Sequence, residues 1–190
     1  MMENALIVSC TGKTTALFTE MLNEVSVNQI TVLKSAGEAR RILFEHDFDL
    51  VIVNSPLADE SGENLSRHIA SKSWAQVILA ISSEHFDAVS AMCEEDGILT
   101  ISKPVNKEIF WSALSLAKSA GNRIKRIQAE NAQLKQKIED IRIIDRAKCL
   151  LISYLNLSEQ EAHRFIEKQA MDLRVPKRTI AEGIIKTYAN

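Results

Sequence analysis

Asp49-Leu50-Val51-Ile52-Val53-Asn54 decides the fold. Four apolar residues, three of them β-branched, stand in a row between a carboxylate and an amide. A strand with one wet face alternates apolar and polar residues. A run without alternation is buried on both faces, as in a parallel sheet. Working outward, similar short runs occur at Ala5–Val8, Ile30–Leu33, Val77–Ile81 and Gly97–Ile101. Helical patterns fill the intervals at Thr14–Asn23, Ala36–His46, Glu63–Ser71, His85–Glu94 and from Lys107 onward. Strands and helices in strict alternation predict the α/β class, with a five-stranded doubly wound parallel sheet.

Beyond Val105 the pattern changes. Between Asn106 and Tyr154 there is no proline and one glycine, Gly121. Ile124, Asn131 and Ile138 fall at a positions of a heptad, and Ile127, Leu134 and Ile141 at d positions. Charged residues such as Lys125, Glu130, Lys135 and Glu139 occupy the other faces. This spacing predicts a short two-stranded coiled coil, hence a homodimer; a lone Asn at an a position fixes register at some cost in stability. The competing reading is an amphipathic helix packed back on the first domain.

The tail predicts a small three-helix domain. The long helix continues through Ile143–Tyr154. Ser158-Glu159-Gln160-Glu161 is a capping box opening a second helix that runs to about Leu173. Val175-Pro176 breaks it, and a third helix ends near Tyr188. Leu150, Leu151, Leu155, Leu157, Ala162, Phe165, Ile166, Ala170, Leu173, Ile180, Ile184 and Ile185 are the expected core. The organisation read from these patterns is a first domain at 1–120, a coiled-coil linker at 121–141 and a helical domain at 142–190.

The net charge of -2 hides a gradient. Residues 1–120 hold 9 Lys/Arg against 16 Asp/Glu, whereas residues 142–190 hold 9 against 6. An acidic front and a basic tail imply two modules with different partners. Cys10, Cys93 and Cys149 are too far apart for a zinc site and too few for a disulfide framework, so free thiols in a reducing cytoplasm are expected. The apolar runs are far shorter than the roughly 18 residues of a membrane span, and Met1-Met2-Glu3-Asn4 lacks the basic stretch of a signal peptide. Thr11-Gly12-Lys13-Thr14 ends like a P-loop, but Ile7 stands where the first glycine is required. His46, His68, His85 and His163 have no metal-ligand spacing. No catalytic constellation, metal site or cofactor motif is read, so an enzyme is not expected.

The first module resembles the receiver domain of two-component response regulators, which has a flavodoxin-like fold. The resemblance rests on the order of strands and helices and on Ser102-Lys103-Pro104 after the fifth strand. It implies a phosphate-accepting aspartate where this chain has Asn54, with Gly62 eight residues on. It implies an acidic pair for magnesium where this chain has Ser9 and Cys10, a hydroxyl matched by Ser82 and a lysine matched by Lys103. An amide is a far poorer nucleophile than a carboxylate, and magnesium requires hard, usually anionic, oxygen ligands. The expectation is a degenerate phosphoacceptor site at Asn54, Ser9, Cys10, Ser82 and Lys103, in a pseudo-receiver controlled by a protein partner or a ligand sensor.

The tail resembles the ANTAR domain of AmiR/NasR-type antitermination regulators. The matching blocks are Ile144-Asp145-Arg146-Ala147-Lys148, Ser158-Glu159-Gln160-Glu161-Ala162, Ala170-Met171 and Ala181, with Cys149 a departure at a position usually small. The resemblance implies binding to stem-loops in nascent mRNA leaders, which prevents a terminator hairpin from forming. RNA loops are read by basic side chains on phosphates and by stacking on splayed bases. Arg142, Arg146, Lys148, Arg164, Lys168, Arg174, Lys177 and Arg178 are the candidate contacts, with Lys186 as further charge. Tyr154 and Tyr188 are aromatic candidates, and Phe165 reads as core. A DNA-binding response regulator is the alternative, since three short helices also build a helix-turn-helix; a pure interaction scaffold is the third reading.

Overall fold

A computed structural model describes residues 3–25 and 27–188. Met1 and Met2, which entered the reading for a targeting signal, lie outside the described residues. The chain forms two compact units, Met1–Arg126 and Ile127–Asn190.

In the first unit, strands β1 (Asn4–Ser9), β2 (Gln29–Leu33), β3 (Leu50–Asn54), β4 (Gln76–Ser82) and β5 (Leu99–Lys103) form one sheet in the order β2-β1-β3-β4-β5. Every neighbouring pair is parallel. Helices α1 (Gly12–Glu24), α2 (Ala36–Glu45), α3 (Glu63–Lys72) and α4 (Phe86–Glu94) connect the strands, and α5 (Lys107–Leu155) follows the last one. The apolar runs are buried because both faces are covered. Leu6, Val8, Val51 and Val53 point into one core, with residues of α2, α3 and α4. Ala5, Ile7, Leu50 and Ile52 point into the other, with residues of α1 and α5. Phe18 of α1 and Phe110 of α5 meet there with ring centroids 5.3 Å apart.

The strands differ from the sequence expectation mainly at their ends. The fifth begins at Leu99, because Gly97 has φ 71° and sits in the turn that closes α4. Gly62 has φ 92° at the N-cap of α3, and a Cβ there would come within 2.9 Å of Val53 Cγ1, so both backbone and space demand glycine. At the opposite end of the sheet, the Asp49 carboxylate accepts from the N–H groups of Glu3 and Asn4 and pairs with Lys125 at 2.6 Å. Burial pushes this carboxyl up, but Lys125 and the two N–H groups outweigh burial and hold it below the usual carboxylate range.

In the second unit, the end of α5 packs with α6 (Glu159–Leu173) and α7 (Lys177–Tyr188). Ala147, Leu151, Ala162, Ile166, Ala181 and Ile184 form its core, flanked by half-buried Ile143, Ile144, Leu150, Leu157, Ile180 and Ile185. The expected capping box is present. The Ser158 hydroxyl accepts from the Glu161 N–H at 3.3 Å, and the Glu161 carboxylate accepts from the Ser158 N–H at 2.8 Å. Three expected core residues, Leu155, Phe165 and Leu173, are exposed instead. Three short helices enclose little volume, so residues at the margin of each apolar stripe stay in water.

Candidate nucleic-acid interface

The first site lies at the C-terminal edge of the sheet, where a doubly wound fold places its ligands. Register sets Ser9 beside Asn54 and Ser82 beside Lys103. Asn54 is 1% exposed, and its Nδ2 donates to Ser9 Oγ at 2.9 Å. Ser9 Oγ in turn accepts from the Thr11 N–H at 3.3 Å. Among the described residues, Asn54 Oδ1 is buried without a hydrogen-bond partner. The Cys10 thiol donates to the Pro56 carbonyl at 3.1 Å. Lys103 Nζ donates to the Ser55 carbonyl, and burial pulls this ammonium below its usual range. Ser82 Oγ lies 2.9 Å from His85 Nδ1.

The nearest acidic side chains in sequence are committed elsewhere. Asp59 accepts from the N–H groups of Ala36 and Gly37 at 2.8 and 2.9 Å, so it caps α2, and those two bonds hold its carboxyl low. Glu60 receives both oxygens' worth of contact from Arg40, at 2.9 and 3.0 Å. Sequence reasoning missed this capping role of Asp59, because its partners lie more than 20 residues upstream. The pocket therefore offers a hydroxyl, a thiol, an amide and an ammonium. That donor set does not suit Mg²⁺, which requires oxygen ligands with negative charge to offset its own.

The second site is the basic helical unit, where the candidate cations divide into two groups. Lys148 lies between Asp145 at 2.7 Å and Glu159 at 3.3 Å, and its side chain is 15% exposed. The Asp145 hydrogen bond outweighs burial and raises its pKa. Lys177 pairs with Glu167. Arg178 pairs with Asp140 at 2.8 Å and Glu182 at 2.7 Å. Arg142 stands 3.8 Å from Glu139. Lys148, Lys177 and Arg178 each tie two helices of the unit together, whereas the Arg142–Glu139 pair lies within α5. Among the described residues, Arg146, Arg164, Lys168, Arg174 and Lys186 have no carboxylate within ion-pair distance. Arg164 and Lys168 are one turn apart on α6, on the face opposite buried Ala162, Ile166 and Ala170. Met171, 78% exposed, shares that outward face. Arg174 closes α6 with φ 54°. The rings of Tyr154 and Tyr188 pack at 5.3 Å.

The heptad residues occupy α5. Ile124 is half-buried, whereas Ile127, Asn131, Leu134, Ile138 and Ile141 are exposed.

Residues 132–185 match the ANTAR domain family. The chain thus joins a unit with a receiver fold to a segment that matches the ANTAR domain family. Similar along both parts is the transcriptional regulatory protein PdtaR of Mycobacterium tuberculosis, strains H37Rv and CDC 1551. It is 27% identical over 168 residues, spanning 88% of this chain and 82% of the relative. The fold of the first unit is that of solved receiver domains. The signal receiver domain of an HD domain-containing protein from Pseudomonas fluorescens Pf-5 superposes with a TM-score of 0.58 at 20% identity, covering 66% of this chain and 93% of that one. A response regulator receiver domain protein from Clostridium thermocellum gives 0.56 at 20% identity, covering 66% and 98%. The free cations Arg146, Arg164, Lys168 and Arg174 all lie within the ANTAR match, whereas Lys186 falls just past it. No helix among the described residues is long and apolar enough to cross a membrane.

Proposed function

We propose that this protein is an RNA-binding transcription antitermination regulator that holds stem-loops in nascent mRNA leaders, in the cytoplasm and without catalytic activity of its own. The observation that carries this reading is the division of cations in the ANTAR unit. Lys148, Lys177 and Arg178 are spent on internal carboxylates, while Arg146, Arg164, Lys168 and Arg174 remain available to phosphates. The exposed residues of the heptad stripe support a homodimer through α5. Two linked heads would favour paired stem-loops by raising the effective concentration of the second contact.

The pocket at Asn54 supports control independent of aspartyl phosphorylation, because it holds neither a nucleophilic carboxylate nor ligands for magnesium. The trigger is then a protein partner bound to the receiver-fold unit. The test is competition between leader RNA, with one or two stem-loops, and duplex DNA at matched salt. Paired stem-loops are expected to bind tightest. Tight binding to promoter duplex with no grip on hairpin RNA would replace this reading with a DNA-binding response regulator.

A further inference from the structure

Phe44, in the last turn of α2, leaves 93% of its surface to solvent, and Trp74, between α3 and β4, leaves 73%. Large aromatic side chains left in water beside a cleft mark interaction surfaces. A groove of about 330 Å³ runs between α2 and α3, lined by Arg40, Leu43, Phe44, His68, Ile69 and Lys72. Its pattern follows from helical spacing. Arg40 and Phe44 are one turn apart on α2, as are His68 and Lys72 on α3. Leu43 and Ile69 belong to the core beneath and give the groove an apolar floor.

The charge on this face opposes that of its surroundings. Residues 1–120 carry an acidic excess, yet every ionisable side chain lining the groove is basic. Arg40 is held by Glu60. Among the described residues, Lys72 and His68 have no carboxylate partner. We propose that this groove docks a protein partner through an acidic amphipathic segment, with its apolar side chains over Phe44 and Leu43 and its carboxylates toward Lys72 and His68. A second copy using the same face would set basic row against basic row, since a two-fold contact is self-complementary. A nucleic acid would satisfy Lys72 but leave the floor of Leu43 and Ile69 without an apolar occupant. The inference builds on control by a protein partner and is independent of RNA binding by the ANTAR unit.

The test uses the full chain and two synthetic amphipathic helices about four turns long. Both carry the same leucine face; one has glutamates on the other face and its twin has lysines. Calorimetric titration is expected to show the glutamate peptide binding at least about ten-fold tighter than its twin. Phe44→Ala should weaken it about ten-fold, with circular dichroism unchanged because the ring is exposed. Lys72→Glu should invert the preference between the peptides. No binding, equal binding of the twins, or indifference to Phe44→Ala would overturn the proposal. So would loss of stem-loop affinity in both variants, which would assign the groove to RNA, or a fall in sedimenting mass in Phe44→Ala, which would assign it to a second copy. RNA affinity that fails while peptide binding persists would count against the ANTAR reading alone.

Discussion

The Asn54 amide and the Ser9 hydroxyl face each other across neighbouring strands at 2.9 Å, a neutral pair at the buried end of the sheet. Treatment with acetyl phosphate and magnesium should therefore leave the intact mass of the protein unchanged. Asn54→Asp should remain unmodified too, because Ser9 and Cys10 still supply no charge for the metal. A phosphoryl adduct on the natural protein would show that another carboxylate serves the pocket.

Arg164→Ala and Lys168→Ala should each weaken stem-loop RNA binding by roughly ten-fold. Each should also lower the slope of log affinity against log salt by about 0.7 to 0.9. Arg178→Ala should leave that slope nearly unchanged, because its guanidinium is already shared by Asp140 and Glu182. Filter binding across a salt series distinguishes the two groups.

If α5 pairs as proposed, Leu134→Lys and Ile138→Lys should each reduce the sedimenting mass from dimer to monomer, since each would place a charge in the seam of the proposed coiled coil. Asn131→Leu should make the assembly more stable and less strict in the number of chains. Sedimentation equilibrium reads both outcomes.

Ser158→Ala should destabilise the ANTAR unit by about 1 kcal/mol, because the Glu161 N–H loses its acceptor at the start of α6. Urea denaturation followed by helical circular dichroism is the measurement.

Asp49 links stability to acid. Its carboxyl is held below the usual range in the folded chain, so the Asp49–Lys125 contact contributes fully above the ordinary aspartate pKa of about 4. That contribution disappears as pH falls through the lower folded-state value. Asp49→Asn should lower stability at neutral pH and flatten its decline below about pH 4. Denaturation midpoints across that range would reveal the difference.

The parallel sheet was legible because uninterrupted runs such as Leu50–Val53 have one common explanation, burial on both faces. The capping box at Ser158 was legible because its partners are three residues apart. What escaped the sequence were contacts made over distance. Arg178 and Asp140 are 38 residues apart, and Lys148 and Glu159 are 11 apart on different helices. Local spacing marks the pairs Lys148–Asp145 and Arg178–Glu182, but not the distant carboxylates, Glu159 and Asp140, that complete them. Phe165 and Leu173 carry the right spacing for a core, but a unit of three short helices has too little interior to cover them.

An aspartyl phosphate stores a signal in a bond, and the signal lasts until that bond is hydrolysed. With Asn54 tied to Ser9, the proposed regulator has no such memory. Its response would fade as fast as the partner or the transcript dissociates, so the lifetime of each regulatory event would be an off-rate and not the half-life of a covalent mark.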